Sequence, residues 1–530
     1  MAAKKVTGKV PLGKRYDIVL IVVATGAVTV LVTLISLHPE QSRATAAMVL
    51  REFTGFLGAP VQFLALCVLV FLIWVCCSKY GRIRLGSGEP EFSTPSWIIM
   101  MVLCSQGAGT LYWVFTEWGW HFLAAPQLDG VAVSEAMNYT LAVAFTFFHW
   151  GPTGWALMCA FVLPYAYQYY IRNNTDLRLS SLCAYAVGNR LANGLPGRLV
   201  DLLFIFMVIA NLCMTASLGA GTLGETLAGL WGFTPGFESS AALLIGITAF
   251  FALFSLRGDQ SGLQKITGLN TYLCLALMAF VLLTGPTRFI IDTTLDSLGL
   301  MLQNYIRFST RTDPVTASGH PQVWTVFYLA LWLIYGPFMG VFVTRISRGR
   351  TVRQVIPAMI GSGSAGMVIL LGIAGGCQIH LRLEGVLDVP AMLAAGHSML
   401  VPTETFATLP FPSLIMVAYA VVVILFLASS LEANSFALAT STSRGLRLGE
   451  NPNTAFKLFW RFVLIALPLA MGYIGTDLDT IKSISAVVGL LLAFVLCVIY
   501  AGLFKAIRND PGHVFGNCDE ASEQEKQTLG

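Results

Sequence analysis

Five residues along one apolar stretch carry the first hint of chemistry. At about 100° per residue, Trp324, Tyr328, Trp332, Tyr335 and Met339 fall within an arc of roughly 80°, so a helix from Trp324 to Arg350 would present a ladder of aromatic faces. Such a face suits a cation that offers no hydrogen bonds. A quaternary ammonium group is the natural candidate, because ring quadrupoles attract it and no donor or acceptor is left unmet. Aromatics at helical spacing serve core packing equally well, so the pattern needs its context.

That context is a membrane. Apolar residues make up 56% of the 530 and charged residues only 11%, too little charge for a soluble chain of this size. Twelve long apolar runs recur between residues 16 and 504, each read as a spanning helix. Lys and Arg set the orientation, since short cytoplasmic loops hold their excess. Lys4, Lys5, Lys9, Lys14 and Arg15 precede span one, and Lys79, Arg82 and Arg84 follow span two. Arg172, Arg178, Arg190 and Arg198 follow span four, Arg257 and Lys265 span six, Arg345 to Arg353 span eight, and Arg444, Arg447 and Lys457 span ten. The alternate loops carry acids instead, among them Asp129, Glu135, Glu238, Asp388, Glu404, Asp477 and Asp479. Both termini are therefore expected in the cytoplasm. The net charge of +4 is a topology signal, with no nucleic-acid partner implied. The cysteines read as small hydrophobes. The seven histidines form no HxxxH or HExxH pattern, so a metal hydrolase is not expected.

Two spans carry interruptions that lipid should forbid unless the freed backbone lines a site. One is Ser105-Gln106-Gly107-Ala108-Gly109-Thr110 in span three; the other is Tyr335-Gly336-Pro337-Phe338-Met339-Gly340 in span eight. Paired broken helices five spans apart point to an inverted-repeat transporter with sites near the midplane. Gly is also common in membrane helices for close packing. Span ten adds Ser429, Ser430, Glu432 and Asn434, and span five adds Asn211, Thr215 and Ser217. Hydroxyls and freed carbonyls are hard oxygen ligands suited to Na⁺. Glu432 is the most conspicuous intramembrane acid, a functional candidate by its cost alone, with Glu117 and Glu225 as rivals.

At these residues the chain resembles the betaine/carnitine/choline transporter family. The likeness runs from Glu89-Pro-Glu-Phe-Ser-Thr-Pro-Ser-Trp97 through His149-Trp-Gly-Pro152 and Trp324-Thr-Val-Phe-Tyr328 to Arg345-Ile-Ser-Arg-Gly-Arg-Thr351. The resemblance implies an all-α membrane protein of twelve transmembrane helices, two peripheral helices plus two inverted five-helix repeats, commonly a homotrimer in the bacterial plasma membrane. On that plan residues 1–15 and 505–530 are tails, and 16–95 hold the peripheral helices and their loop. Residues 96–293 and 322–504 hold the repeats, and 294–321 an interfacial amphipathic helix and loop.

By the same resemblance Trp120, Trp150, Trp155, Trp332 and Tyr335 match positions around the substrate's trimethylammonium group, and Trp324 with Tyr328 an outer site. Leu331 and Met158 stand where relatives carry a Trp and a Tyr. The family holds sodium symporters, proton symporters and a sodium-independent exchanger. In the exchanger an Arg on span seven and a Met on span eight replace the two sodium ions. Here Asn270 holds the Arg position and Ser429-Ser430 match the symporters' hydroxyl pair, while Met339 matches the exchanger's Met. Asn270 weighs more, since without that Arg two hydroxyls would lie unpaired in a dry site. Sodium coupling at Ser429, Ser430 and the backbone of Gly107, Ala108 and Gly109 is thus expected, with Asn270 and Glu432 in the coupling.

The expectation is a secondary transporter that imports, or exchanges, a small quaternary ammonium or sulfonium zwitterion by alternating access within membrane lipid. Sodium-independent exchange of the carnitine/γ-butyrobetaine type is the alternative. No cofactor other than Na⁺ is expected. A membrane enzyme would need a nucleophile with its base, and a channel would not need an occluded site.

Overall fold

The computed structural model describes residues 16–104, 107–124, 133–256, 260–443, 451–473 and 478–509. Its regular elements are helices, as they must be where lipid offers no partner to a backbone N–H. Those that position the site are α1 Ile18–Leu37, α2 Pro39–Cys77, α3 Thr94–Cys104, α4 Ala108–Ala124, α5 Glu135–His149, α6 Pro152–Ala160, α7 Leu195–Trp231, α8 Phe237–Leu256, α9 Gln260–Thr284, α10 Thr287–Gln303, α11 Phe327–Ile346, α12 Val352–Leu383, α13 Pro412–Ser441, α14 Thr454–Tyr473 and α15 Leu478–Asn509. Among the described residues eight helices are long and apolar enough to cross a membrane. A pair bent by 108°, Tyr272–Thr284 with Thr287–Gln303, makes a ninth crossing if counted as one. The outer faces of α1 and α2 stay exposed, at Val22, Val30, Phe56, Phe63 and Val70, as lipid-facing surface would be. The core lies among α4 to α7, α11 and α13.

Span three is split into α3 and α4, as expected; Ser105 and Gln106 lie outside the described residues. Span eight is not split at 335–340. There α11 runs unbroken through Pro337, and the irregularity sits earlier, in a π-helical turn over Pro321–Val326. The glycines of this stretch serve close approach. A Cβ on Gly336 would stand 2.3 Å from the Phe161 ring, and one on Gly340 2.8 Å from Phe161 and from Tyr165. The second break falls instead in span four, between α5 and α6 at Trp150-Gly151, where Pro152 starts a new helix without an N–H to give.

The segment expected as an interfacial helix from 294 begins earlier, at Thr287. Gly285-Pro286 stops α9 and turns the chain, and α10 then packs on α5 and α12. Lys4 to Arg15, Asp129, Arg257, Arg444, Arg447, Asp477 and residues 510–530 lie outside the described residues, as do the side chains of Lys265 and Asp479.

The two most distinctive motifs meet each other. Arg350 donates to Thr94 Oγ1 at 2.9 Å and to the Phe92 carbonyl at 2.8 Å, and its guanidinium lies 4.6 Å from the Trp97 ring centroid. Trp97 donates to Ser347 Oγ at 3.0 Å. The backbone pairs alongside, Leu85 N–H to Arg350 at 2.8 Å and Gly349 N–H to Leu85 at 2.7 Å. Gly349 has φ +78°, and a Cβ there would meet the Gly88 carbonyl at 2.7 Å, so only glycine fits. Both motifs thus build a junction between the α2–α3 loop and the α11–α12 loop.

Candidate functional site

The break after α5 frees two carbonyls, and two tryptophans take them. Trp332 Nε1 donates to the His149 carbonyl at 2.8 Å, and Trp155 Nε1 to the Trp150 carbonyl at 3.2 Å. Gly154 lets the Trp332 ring lie against α6, where a Cβ would stand 2.5 Å from Nε1. With its N–H committed to backbone, Trp332 offers the rest of the site only its faces. Trp150 meets Trp332 edge-to-face at a centroid distance of 5.1 Å and Tyr328 at 5.8 Å. Tyr328 and Trp332 are 6.3 Å apart, Trp332 and Tyr335 6.1 Å. Rings this close pack on one another, so a cation entering between them, within about 6 Å of each centroid, must part them.

Not every expected member joins this cluster. The Trp155 ring faces α12, where it covers Gly363 so closely that a Cβ would stand 2.1 Å away. Trp120 donates to Tyr112 Oη at 3.3 Å and packs with Trp324 at 6.5 Å. Trp324 and Tyr328 have different neighbours on one side and share Trp113 on the other. The π-helical turn brings Trp324 to His121, at 4.7 Å, while Tyr328 packs on Trp150 and Trp332; Trp113 touches both, at 6.2 and 5.9 Å. Over the Trp324 ring sits a cation of the chain itself, Lys482 Nζ of α15, 3.3 Å from the centroid and buried. Met339 is fully buried on α11, and Leu331 and Met158 are buried too.

The polar centre of the site is Glu117, fully buried on α4. Tyr328 Oη donates to its Oε2 at 2.6 Å, and Trp150 Nε1 also donates to that oxygen. Its Oε1 faces His121 Nε2 at 3.3 Å and His149 Nδ1 at 3.5 Å. His121 Nδ1 meets His320 Nε2 at 3.3 Å, and His149 Nε2 meets Thr325 Oγ1 at 3.1 Å. The Tyr328 and Trp150 donors, with the two imidazoles beside the other oxygen, offset the desolvation of the carboxylate. The histidines that look scattered in sequence thus converge in space. One signal was available: Glu117 and His121 stand four apart and share a helix face. The loop that delivers His320 is tied by Asp313, which accepts from Ser318 N–H at 2.9 Å. Partial desolvation pushes the Asp313 carboxyl up, but hydrogen bonds from Ser318 and Thr316 outweigh it and hold the group at about 2.

At the other break, Gly107 at the mouth of α4 faces Thr215 of α7 and Ser430 of α13. A Cβ there would lie 3.2 Å from Thr215 Cγ2 and 3.4 Å from Ser430 Oγ. Thr215 also backs Gly109, and Ala108 packs on Gly219 of α7. Ser429 turns away and donates to the Phe426 carbonyl at 3.0 Å. Asn434 donates to the Ser430 carbonyl at 2.7 Å, and Asn211 reaches Asn434 at 3.5 Å. Asn270 of α9 lies against α13; with its amide turned to satisfy both atoms, it donates to the Val422 carbonyl and accepts from Phe426 N–H, each at 3.3 Å. Glu432 is no lone acid. Lys457 Nζ lies 2.9 Å from Oε1, and Arg461 pairs with Oε2, so its carboxylate ties α13 to α14 instead of waiting for an ion.

An all-α bundle of membrane-length helices, interrupted where aromatic and hydroxyl groups converge, is the architecture of a membrane transporter. Residues 19–512 match the betaine/carnitine/choline family transporters, and the chain belongs to that family, whose members are transporters and not enzymes. It is 31% identical over 503 residues to a carnitine transporter of Acinetobacter baumannii (strain ATCC 19606), covering 94% of this chain and 90% of that protein. It is 32% identical over 449 residues to the uncharacterized transporter YeaV of Escherichia coli (strain K12), covering 84% and 92%. Among solved structures it is similar to a Na⁺-coupled sialic acid symporter in a substrate-bound outward-open state. There the identity is 13% and the TM-score 0.41, over 85% of this chain and 87% of that one.

Proposed function

We propose that the chain moves a small quaternary ammonium or sulfonium compound, a zwitterion such as carnitine or betaine or the cation choline, by alternating access, coupled to sodium. The observation that carries this reading is the cluster Trp150, Tyr328 and Trp332. The Trp332 N–H is committed to the His149 carbonyl, and the Trp150 N–H and Tyr328 O–H to Glu117. What remains for a ligand is ring face, which favours an alkylated cation over a hydrogen-bonding ammonium. Homology to a carnitine transporter supports the same class.

For sodium, the donor set at Gly107 fits in part. Thr215 and Ser430 supply neutral hydroxyls beside Gly107, oxygen donors that suit a hard monovalent cation, while the Gly107 carbonyl is taken by Thr110 N–H at 3.0 Å. Binding there would fix the mouth of α4, the helix that carries Glu117, and so link ion and substrate affinities reciprocally. We read the chain as twelve crossings in the two-repeat plan, with both termini cytoplasmic, in a trimer of the bacterial inner membrane. Uptake of labelled carnitine, γ-butyrobetaine, glycine betaine, choline and dimethylsulfoniopropionate into proteoliposomes, in Na⁺ or K⁺ at equal pH and potential, tests this. Faster uptake in Na⁺ supports symport. Equal rates, with efflux stimulated by outside substrate, establish the second reading, sodium-independent exchange, which buried Met339 and Ser429, bonded back to its own helix, favour.

A further inference from the structure

Three donor atoms from two helices meet at one point. Glu117 Oε1, His121 Nε2 and His149 Nδ1 are separated by 3.3, 3.5 and 3.2 Å. All three side chains are buried. Ligands about 2.0–2.1 Å from a tetrahedral zinc ion are about 3.3–3.4 Å from each other, so the triangle already has the dimensions of three corners of such a site. Hydrogen bonds alone fill it awkwardly. If both nitrogens carry protons, two N–H groups crowd one oxygen; if only one does, its single proton is shared between the Glu117 oxygen and the other imidazole's lone pair.

Each corner is also held from behind, as metal ligands need to be. Tyr328 and Trp150 hold the second oxygen of Glu117. With His121 coordinating through Nε2, its remaining proton sits on Nδ1 and points at His320 Nε2, 3.3 Å away. With His149 coordinating through Nδ1, its proton on Nε2 points at the Thr325 hydroxyl, 3.1 Å away. His320 then keeps its own proton on Nδ1. Both coordinating tautomers find acceptors in place, and no side chain needs a new rotamer.

We propose that Glu117, His121 and His149 form a binding site for a divalent transition metal of the zinc class, and that metal bound there arrests transport. Two imidazoles and one carboxylate select zinc, cobalt or nickel over magnesium or calcium. Lys482, seated on Trp324 beside His121, adds a nearby positive charge, which makes the site reversible in place of a permanent structural one. A bound ion would tie α4 to α5 and, through Glu117, to Tyr328 of α11. The arrest rests on the transport reading above; the binding does not.

The test uses purified full-length transporter freed of metal by chelation. Titration with ZnCl₂ by calorimetry, and with CoCl₂ by visible absorption, is expected to give one saturable equivalent per chain, displaced from cobalt by zinc, with none for MgCl₂. His121→Gln and His149→Gln should each weaken zinc at least ten-fold, and Thr325→Val, an outer partner, roughly ten-fold. External ZnCl₂ should slow uptake in the parent and not in the two histidine variants. Absence of saturable binding overturns the site. So does a thiolate charge-transfer band in the cobalt spectrum, which would place the metal on cysteines; this spectrum of the parent decides even if the variants misfold. Binding without inhibition overturns the arrest. Failure of the substrate reading is distinguishable, because it would appear as no uptake before any metal is added.

Discussion

Glycine does opposite things in the two stretches that look alike in sequence. At Gly107 the helix opens, and its neighbours are Thr215 and Ser430, whose hydroxyl oxygens lie 3.8 and 3.4 Å from an added Cβ. At Gly336 the helix stays whole, and the neighbour is the Phe161 ring, at 2.3 Å. A glycine in a membrane helix therefore marks either unwound backbone or close approach, and the chemistry of the facing residue tells which. Polar neighbours favour the first, since freed backbone needs partners. An aromatic neighbour favours the second.

The difference can be broken by substitution, beginning with the most damaging change. Gly336→Ala forces the Phe161 ring aside and should destabilise the protein by about 1–3 kcal/mol, seen as a lower melting temperature of the purified protein. An unchanged melting temperature would mean that Phe161, just past the end of α6, and α11 need not pack so closely. Trp332→Leu removes a face on the unbroken helix and should weaken substrate binding by ~1–2 kcal/mol, ten-fold or more. Binding measured by tryptophan quenching in a monodisperse mutant checks it, and an unchanged constant would remove Trp332 from the site. Gly107→Ala meets only ordinary to tight contacts, so its stability should stay within about 1 kcal/mol while the half-saturating Na⁺ rises. A drop in stability with unaltered sodium dependence would make Gly107 a packing glycine like Gly336. The finest distinction separates two adjacent hydroxyls. Ser430→Ala should raise half-saturating Na⁺ more than Ser429→Ala, because Ser430 faces Gly107 and Ser429 is spent on its own helix. Equal shifts would place both at the ion.

Much of the architecture was legible in hydropathy, because the bilayer demands helices of a certain length and polarity. The break at Gly107 was readable for the same reason. The supposed break at Gly336 misled because sequence spacing does not reveal which helix lies opposite. Glu432 misled in the same way: its partners Lys457 and Arg461 lie on the next helix, 25 and 29 residues on. The aromatic ladder was half legible. Tyr328, Trp332 and Tyr335 keep the periodicity of an α-helix, but the π-helical turn at Pro321–Val326 takes Trp324 out of register, and no composition rule announces such a turn. The histidines were missed because His121, His149 and His320 belong to three separate segments whose meeting is a property of the bundle alone.

Lys482 gives the outer ring of Trp324 an occupant that cannot diffuse away. A tethered group competes at an effective concentration on the order of millimolar or above. A free trimethylammonium of equal intrinsic affinity would half-occupy that ring only at comparable concentration. A substrate captured from scarcer supply must therefore pass this ring by or hold the ammonium elsewhere with an anionic group of its own, as the carboxylate of a zwitterion could and the hydroxyl of choline could not.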